Sequence, residues 1–291
     1  MNQLQLQYLI QDKRCPSGAS LSDYDTLTIE SAGCILYGQI LWPDGEYAEN
    51  RPCVVLFHGL PGSARNDDLA HAMCRIGCVV LTPHNRGAWG SDGVYLPSNC
   101  VEDAVNIANY IHSREFCDHY HVDPDNVFFV GHSMGGNTVL NAGKTLPWLR
   151  GLILMAPFDP TRFLRDGEPE KLRAPLAQFE TQHCIRCVGE ESLYRDIVLH
   201  TNTFAFENAY EQVKDQNVLF LEGDLDDCAP ANRMVEPLLK MLQKHKTGAI
   251  QRIRHYPAGH GLLGCRTEII RDVAQFLSDS LNTNKDAKAV S

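Results

Sequence analysis

The distribution of apolar residues changes character near residue 50. Before that point the chain alternates. Leu4, Leu6 and Tyr8 are separated by glutamines, and residues 26–30 and 34–42 flank Ser31-Ala32-Gly33. A period of two predicts half-buried strands, so the first 41 residues read as β, with a hairpin at that turn. Beyond it, continuous apolar runs take over. Residues 53–57, 78–81, 127–130, 152–155 and 217–221 read as strands covered on both faces, as parallel strands are, and 252–256 as the last strand. Between these runs apolar residues recur at helical spacing: Leu69, Ala72, Met73 and Ile76, ended by Gly77; then Val101, Ala104, Val105, Ala108 and Ile111. Further on come Met234, Val235, Leu238, Met241 and Leu242, where Pro237 should kink or split the helix, and a closing helix through Ile269, Ile270, Val273 and Leu277. An antiparallel start followed by alternating strands and helices predicts an α/β fold with a mostly parallel sheet and helices on both faces.

The alternation breaks between residues 158 and 216. That stretch is too long for a plain connection. Its apolar residues, among them Phe163, Leu164, Leu172, Leu176, Phe179, Leu193, Phe204 and Phe206, predict packed helices rather than an open loop. The expected organisation is one domain over residues 1–291, a helical cap insertion at 158–216, and a polar, disordered tail at 282–291.

Composition narrows the partners. A chain of 291 residues, 44% hydrophobic, can bury a sizeable core. Its formal net charge of −10 argues against nucleic acid or an anionic membrane. Residues 1–10 show no basic region followed by an apolar core, and no apolar stretch approaches membrane-spanning length, so neither a signal peptide nor a span is expected. The eleven cysteines then read as reduced, structural thiols in a cytoplasmic protein. Cys184-Ile185-Arg186-Cys187 is a lone CxxC. His183 could add a ligand, but a fourth is not evident, which favours shielded thiols over zinc or redox chemistry.

The chemistry begins at Gly131-His132-Ser133-Met134-Gly135-Gly136, which follows the apolar run 127–130 and precedes a predicted helix. Gly-x-Ser-x-Gly in a strand–turn–helix setting marks a nucleophile elbow, from which the serine hydroxyl projects above the sheet. Gly131 and Gly135 remove side chains that would collide where strand and helix close up. The plainer reading is a glycine-rich turn with an incidental serine, and the remaining motifs weigh against it. A serine nucleophile needs a base within hydrogen-bond reach, and the base needs an orienting acid. Glu222-Gly223-Asp224-Leu225-Asp226-Asp227 follows one strand and Ala258-Gly259-His260-Gly261 follows the last. Serine, aspartate and histidine thus occur in that order, at the carboxyl ends of parallel strands, where open α/β sheets place their sites.

With these residues on the page, the chain from about residue 27 to residue 277 resembles an α/β-hydrolase. The matching pieces are Phe57-His58-Gly59-Leu60-Pro61-Gly62, Val122-Asp123-Pro124-Asp125-Asn126 leading into the elbow, Gly223-Asp224-Leu225-Asp226 with Ala229-Pro230, and Gly259-His260-Gly261. Within the superfamily it is similar to the branch holding acyl esterases, dienelactone-hydrolase-like proteins and prolyl-oligopeptidase-like peptidases. The resemblance implies that Ser133 is the nucleophile and His260 the general base, then general acid. Asp226 is the preferred orienting acid, since the family places it three residues after a Gly and four before a Pro. Asp224 and Asp227 compete, and a solvated acidic loop is the plain alternative. The implied oxyanion hole consists of the backbone N–H groups of Leu60 and Met134.

Other residues are weighed in the same way. His58 is expected to fix its loop rather than act as a second base. His84-Asn85-Arg86-Gly87-Ala88-Trp89-Gly90-Ser91-Asp92-Gly93 departs from the family's Asp-x-Arg-Gly-x-Gly-x-Ser loop: His84 replaces the acid and the second Gly is displaced by one place. Arg86 and Ser91 are expected to hold that loop, while Trp89 either approaches the site or packs against the cap. His119 and His121, beside Asp118 and Asp123, suggest an exposed turn more than a metal site. Arg162, Arg165, Arg173 and Arg186 either recognise a carboxylate or are simply solvated. The function that emerges is a serine hydrolase cleaving a carboxylic ester through an acyl-enzyme, with no cofactor and no metal. An amidase or aminopeptidase is the alternative, and a non-catalytic ligand-binding protein follows. The expected partner is a small-molecule acyl substrate, with no nucleic acid or membrane. A homodimer stays open.

Overall fold

The computed structural model describes residues 4–45, 50–63, 65–179 and 184–288. The hairpin forms where the alternation places it. Strand β1 (Asp23–Ser31) pairs antiparallel with β2 (Cys34–Trp42), joined by the two-residue turn Ala32-Gly33. The buried runs then supply β3 (Arg51–Phe57), helix α1 (Asp67–Arg75), β4 (Val79–Pro83) and α2 (Pro97–Ile111). After them come α3 (Arg114–Tyr120), β5 (Val122–His132), α4 (Met134–Gly143) and β6 (Gly151–Met155).

The insertion folds as α5 (Arg162–Arg165), α6 (Pro169–Phe179), α7 (Glu190–Leu199), α8 (Thr201–Phe204), a 3₁₀ turn at Phe206–Ala209, and α9 (Tyr210–Val213). The body resumes with β7 (Val218–Gly223), α10 (Ala231–Met234), α11 (Glu236–Lys244), β8 (Gln251–Tyr256) and α12 (Arg266–Lys288). The helix expected around Pro237 is split in two, with that proline in the first turn of the second piece, where its missing N–H costs nothing.

The eight strands form one sheet in the order β1-β2-β4-β3-β5-β6-β7-β8. The two β1–β2 and β2–β4 pairs are antiparallel and the rest parallel. Every residue of β3, β4, β6 and β7 is buried, which is why those strands read as unbroken apolar runs. One core lies on the α2, α4 and insertion side of the sheet, and a second lies under α1 and α12.

The insertion is pinned to the body. Fully buried Asp159 accepts from Thr161 (N–H 2.9 Å, Oγ 2.7 Å), the Phe206 N–H and Arg165 (2.6 Å), so the two ends of the cap meet on one carboxylate. Asp196 of α7 accepts from the Ser98 N–H at 2.8 Å, at the N-terminus of α2, where a negative charge is favoured.

Two expectations are corrected, and one helix is longer than expected. Leu4, Leu6 and Tyr8 do not lie on a strand: Leu6–Tyr8 is a 3₁₀ turn packed on the second core. The carbonyls of Tyr8 and Leu9 are taken by the Arg75 guanidinium, at 3.1 and 2.6 Å, instead of by a neighbouring strand. His121 lies on an exposed turn, whereas His119, also exposed, does not. His119 is in α3, with its ring edge-on to Tyr120, and His121 ends that helix in the left-handed region at φ 52°. The closing helix continues past Leu277 to Lys288, overlapping the polar tail. No glycine or proline follows Leu277 to stop it. Residues 289–291 of that tail lie outside the described residues.

Candidate active site

Strand β5 delivers Ser133 into a turn at φ 57° and ψ −120°, a conformation few non-glycine residues adopt. The strain is held by close packing. A Cβ on Gly135 would come within 2.3 Å of the Phe57 carbonyl oxygen, and one on Gly59 within 2.8 Å of the His132 carbonyl oxygen. The end of β3 and the turn after β5 are therefore pressed together, and only glycine fits on either side. The hydroxyl sits at the N-terminus of α4, a helix buried along its whole length.

The carboxyl ends of β7 and β8 bring the other two residues to it. His260 Nε2 lies 2.8 Å from Ser133 Oγ, and His260 Nδ1 lies 2.8 Å from Asp226 Oδ2. The second oxygen of Asp226 accepts from the N–H groups of Cys228 (2.9 Å) and Ala229 (2.8 Å). Burial pushes the Asp226 pKa up, but the His260 hydrogen bond and the two N–H donors outweigh it, so the carboxyl is held below its ordinary value. The competing acids are elsewhere. Asp224 faces His255 at 3.0 Å, and Asp227 is exposed.

The loop after β3 carries Leu60 past the serine. Among the described residues, neither the Leu60 nor the Met134 N–H has a hydrogen-bond partner. The carbonyls of the same loop are held by side chains. His58 Nδ1 donates to the Gly59 carbonyl at 2.8 Å, while its Nε2 accepts from the Asn85 N–H at 3.2 Å. That pair of contacts assigns the proton to Nδ1, and burial lowers the ring's pKa and keeps it neutral. The Trp89 indole N–H donates to the Gly62 carbonyl at 2.9 Å, and the Cys184 thiol lies 3.5 Å from the Pro61 carbonyl. His58 thus fixes its loop, as its sequence context suggested. Trp89, whose place was undecided, braces the same loop.

The residues around Trp89 are tied in turn. Arg86 reaches Asp103 at 2.7 Å, and the Ser91 hydroxyl bridges the Tyr37 N–H and the His84 carbonyl. His84, standing where the family has an acid, is half-buried. Burial, helped by the charges of His58 and Arg65, takes its pKa down to about 4. The CxxC segment forms a short bridge from Ile185 to Ala88, with the Trp89 N–H donating to the Cys184 carbonyl at 2.8 Å. Both its cysteines are free and partly buried, and His183 lies outside the described residues.

Two residues escaped the sequence reading. His132, inside the elbow motif, lies 2.8 Å from the His260 carbonyl through Nε2 and so holds the histidine loop from below. Burial takes its pKa down to about 4, leaving a neutral donor. Glu222, near the carboxyl end of β7, is fully buried, and among the described residues neither carboxyl oxygen has a hydrogen-bond partner. Burial and the nearby Asp226 charge push its pKa well above the ordinary range. Neither residue had a signal beyond adjacency to a motif.

The arginines are used structurally. Arg162 and Arg165 share Glu207, Arg173 pairs with Glu190 and stacks over Tyr194 at 3.6 Å, and Arg186 donates to the Gly93 carbonyl.

A cavity of about 120 Å³ opens onto Ser133 and His260. Its floor is Leu60, Met134 and Phe158, and α6 roofs it with Leu172, Leu176 and Phe179. Apart from Ser133, His260 and the Cys228 thiol, every described lining residue is apolar. A second cavity of about 370 Å³ lies beyond Phe158, Pro175 and Cys228, which line both; its other walls include Phe163, Lys171, Asp227 and Arg233.

Residues 48–170 match the family model described as serine aminopeptidase, S33. A putative esterase/lipase of Mycoplasma genitalium is 25% identical over 155 residues, which span 46% of this chain and 58% of that protein, little more than half its length. Among solved structures, Est1E from Butyrivibrio proteoclasticus aligns with a TM-score of 0.63 at 14% identity, covering 88% of this chain and 98% of its own. A brefeldin A esterase, described as a bacterial homologue of human hormone-sensitive lipase, aligns with a TM-score of 0.66 at 18% identity, covering 95% and 82%. The chain has the α/β-hydrolase fold.

Proposed function

We propose that the protein is a serine hydrolase that cleaves carboxylic esters through an acyl-enzyme intermediate. The observation that carries this reading is the pair of 2.8 Å contacts that string Ser133, His260 and Asp226 together at the strained turn. His260 Nε2 takes the Ser133 proton as Oγ bonds to the ester carbonyl carbon. Asp226, ionised and held by two backbone donors, keeps Nδ1 protonated and stabilises the imidazolium that forms. The negative charge on the carbonyl oxygen falls between the Leu60 and Met134 N–H groups, with the α4 N-terminus behind them. His260 then gives its proton to the departing alkoxide, and the same imidazole draws a proton from water as that water cleaves the acyl-enzyme.

The esterase and lipase-like relatives agree with this chemistry. The aminopeptidase description of the matching family raises the alternative of peptide cleavage from a free N-terminus. Such an enzyme must pair the substrate's α-ammonium group, and no acidic side chain among the described residues lines the cavity at Ser133. Turnover of a nitrophenyl ester, without turnover of an aminoacyl nitroanilide, is therefore expected. Ser133→Ala should lower ester turnover by about 10⁶-fold and abolish labelling by a fluorophosphonate probe. Near wild-type activity in that variant would reject the proposal.

A further inference from the structure

His132 has a role that emerges only after the serine is acylated, and this inference rests on the ester-hydrolase reading. We propose that His132 is the positioning residue for deacylation: its hydrogen bond to the His260 carbonyl keeps the general base in place while Ser133 is esterified and cannot.

Among the described residues, His260 is fixed at three points in the free enzyme. Nδ1 donates to Asp226, Nε2 accepts from the Ser133 hydroxyl, and the backbone carbonyl accepts from His132 Nε2, each at 2.8 Å. A carbonyl only accepts, so the His132 proton sits on Nε2. Among the described residues no other donor reaches the His260 carbonyl. Backbone bonds stop on either side of it: the Leu225 N–H meets the Ala258 carbonyl at 3.0 Å, and the Leu262 N–H meets the Gly259 carbonyl at 2.9 Å. Nor is this loop wedged as the nucleophile turn is. A Cβ on Gly259 would meet nothing beyond its chain neighbours closer than 3.7 Å. His132, by contrast, is the last residue of β5 and stands in register with Met155 of β6, on a strand with neighbours on both sides. The donor is rigid and the loop it holds is not.

Acylation removes one of the three contacts. Ser133 Oγ then carries the acyl group and has no proton to donate, so Nε2 loses its serine partner. The imidazole must still meet a water. As the water oxygen bonds to the acyl carbon, Nε2 takes the water's proton; Oγ then leaves that carbon and takes the proton back. During this half of the reaction Asp226 fixes the ring and His132 fixes the backbone. A ring held at Nδ1 alone can pivot about that bond, and a small misplacement is costly. In the first half the Ser133 hydroxyl itself aligns Nε2, so His132 matters less.

The test compares three variants of the whole protein, each checked for an unaltered melting profile. His132→Gln keeps a donor near the place of Nε2. His132→Asn keeps the polarity but falls one methylene short. His132→Phe keeps a ring and removes the donor; where it melts early, His132→Asn carries the comparison. With nitrophenyl butanoate, kcat/KM reports acylation. Decay of the acyl-enzyme, followed by acid quench and intact mass, reports deacylation. The Asn and Phe variants should slow that decay about 10- to 100-fold, the range of one buried hydrogen bond, and lower kcat/KM by less than about threefold. His132→Gln should bring the decay back to within about threefold of wild type. Equal losses in both steps, no loss in either, or failure of a well-folded His132→Gln to restore deacylation would overturn this role and leave the esterase reading intact. Absence of any Ser133-dependent ester turnover in the wild type would defeat that reading itself.

Discussion

The site has two arms that solve the same problem differently. The acid arm, residues 222–230, fixes Asp226 with its own backbone: Cys228 and Ala229 fold back and donate two N–H groups to one carboxyl oxygen. The proposed oxyanion arm, residues 57–62, is not held by its own backbone. Its Gly59, Pro61 and Gly62 carbonyls are met by side chains from His58, Cys184 and Trp89, two of them distant in sequence. A charge that must be held can be held locally. An N–H that must stay unpaired, as Leu60's does, requires its neighbours' carbonyls to be tied elsewhere. The second arm therefore depends on the cap segment and on the loop after β4, and the first does not.

This difference can be broken experimentally. Asp226→Asn should have the largest effect, about 10⁴-fold in kcat, because the imidazole loses its orienting partner and takes the wrong tautomer. The low-field NMR signal of the His260 Nδ1 proton should vanish with it. His58→Ala should cost about 10²-fold in kcat. It leaves the buried Gly59 carbonyl and Asn85 N–H unpaired, and the ceiling is the ~3 kcal/mol of one oxyanion donor. Trp89→Phe should cost least, about 3- to 10-fold in kcat with little change in KM, since one neutral hydrogen bond is lost and the ring volume is largely kept. In both loop variants the low-field proton signal should persist. Its loss in Trp89→Phe would mean that the two arms are not independent.

The same contrast explains what could be read from the chain alone. Gly223, Asp226 and Pro230 announce the acid arm because its geometry is made by neighbours in sequence. The elbow is equally local, and the two-faced burial of β3, β4, β6 and β7 is written in their composition. The brace on the oxyanion arm depends on Trp89 and Cys184 arriving from other loops, and no spacing rule encodes that. Leu4, Leu6 and Tyr8 carry a true alternation, yet a distant guanidinium claims the carbonyls that a strand would need. In each miss, a side chain from elsewhere overrode a local pattern.

Glu222 sets an upper limit on the pH range of this fold. In the unfolded chain its carboxyl ionises near 4.5, whereas in the folded protein, without solvent or a donor, it keeps its proton well above that value. Between those two points the native state holds one proton more than the denatured chain. Stability therefore falls as pH rises, by about 1.4 kcal/mol per unit for this one group. Glu222→Gln removes the titration, and its melting temperature should exceed that of wild type by a margin that widens as the pH is raised above the ordinary carboxylate range. For this one carboxyl, alkali rather than acid is the destabilising direction.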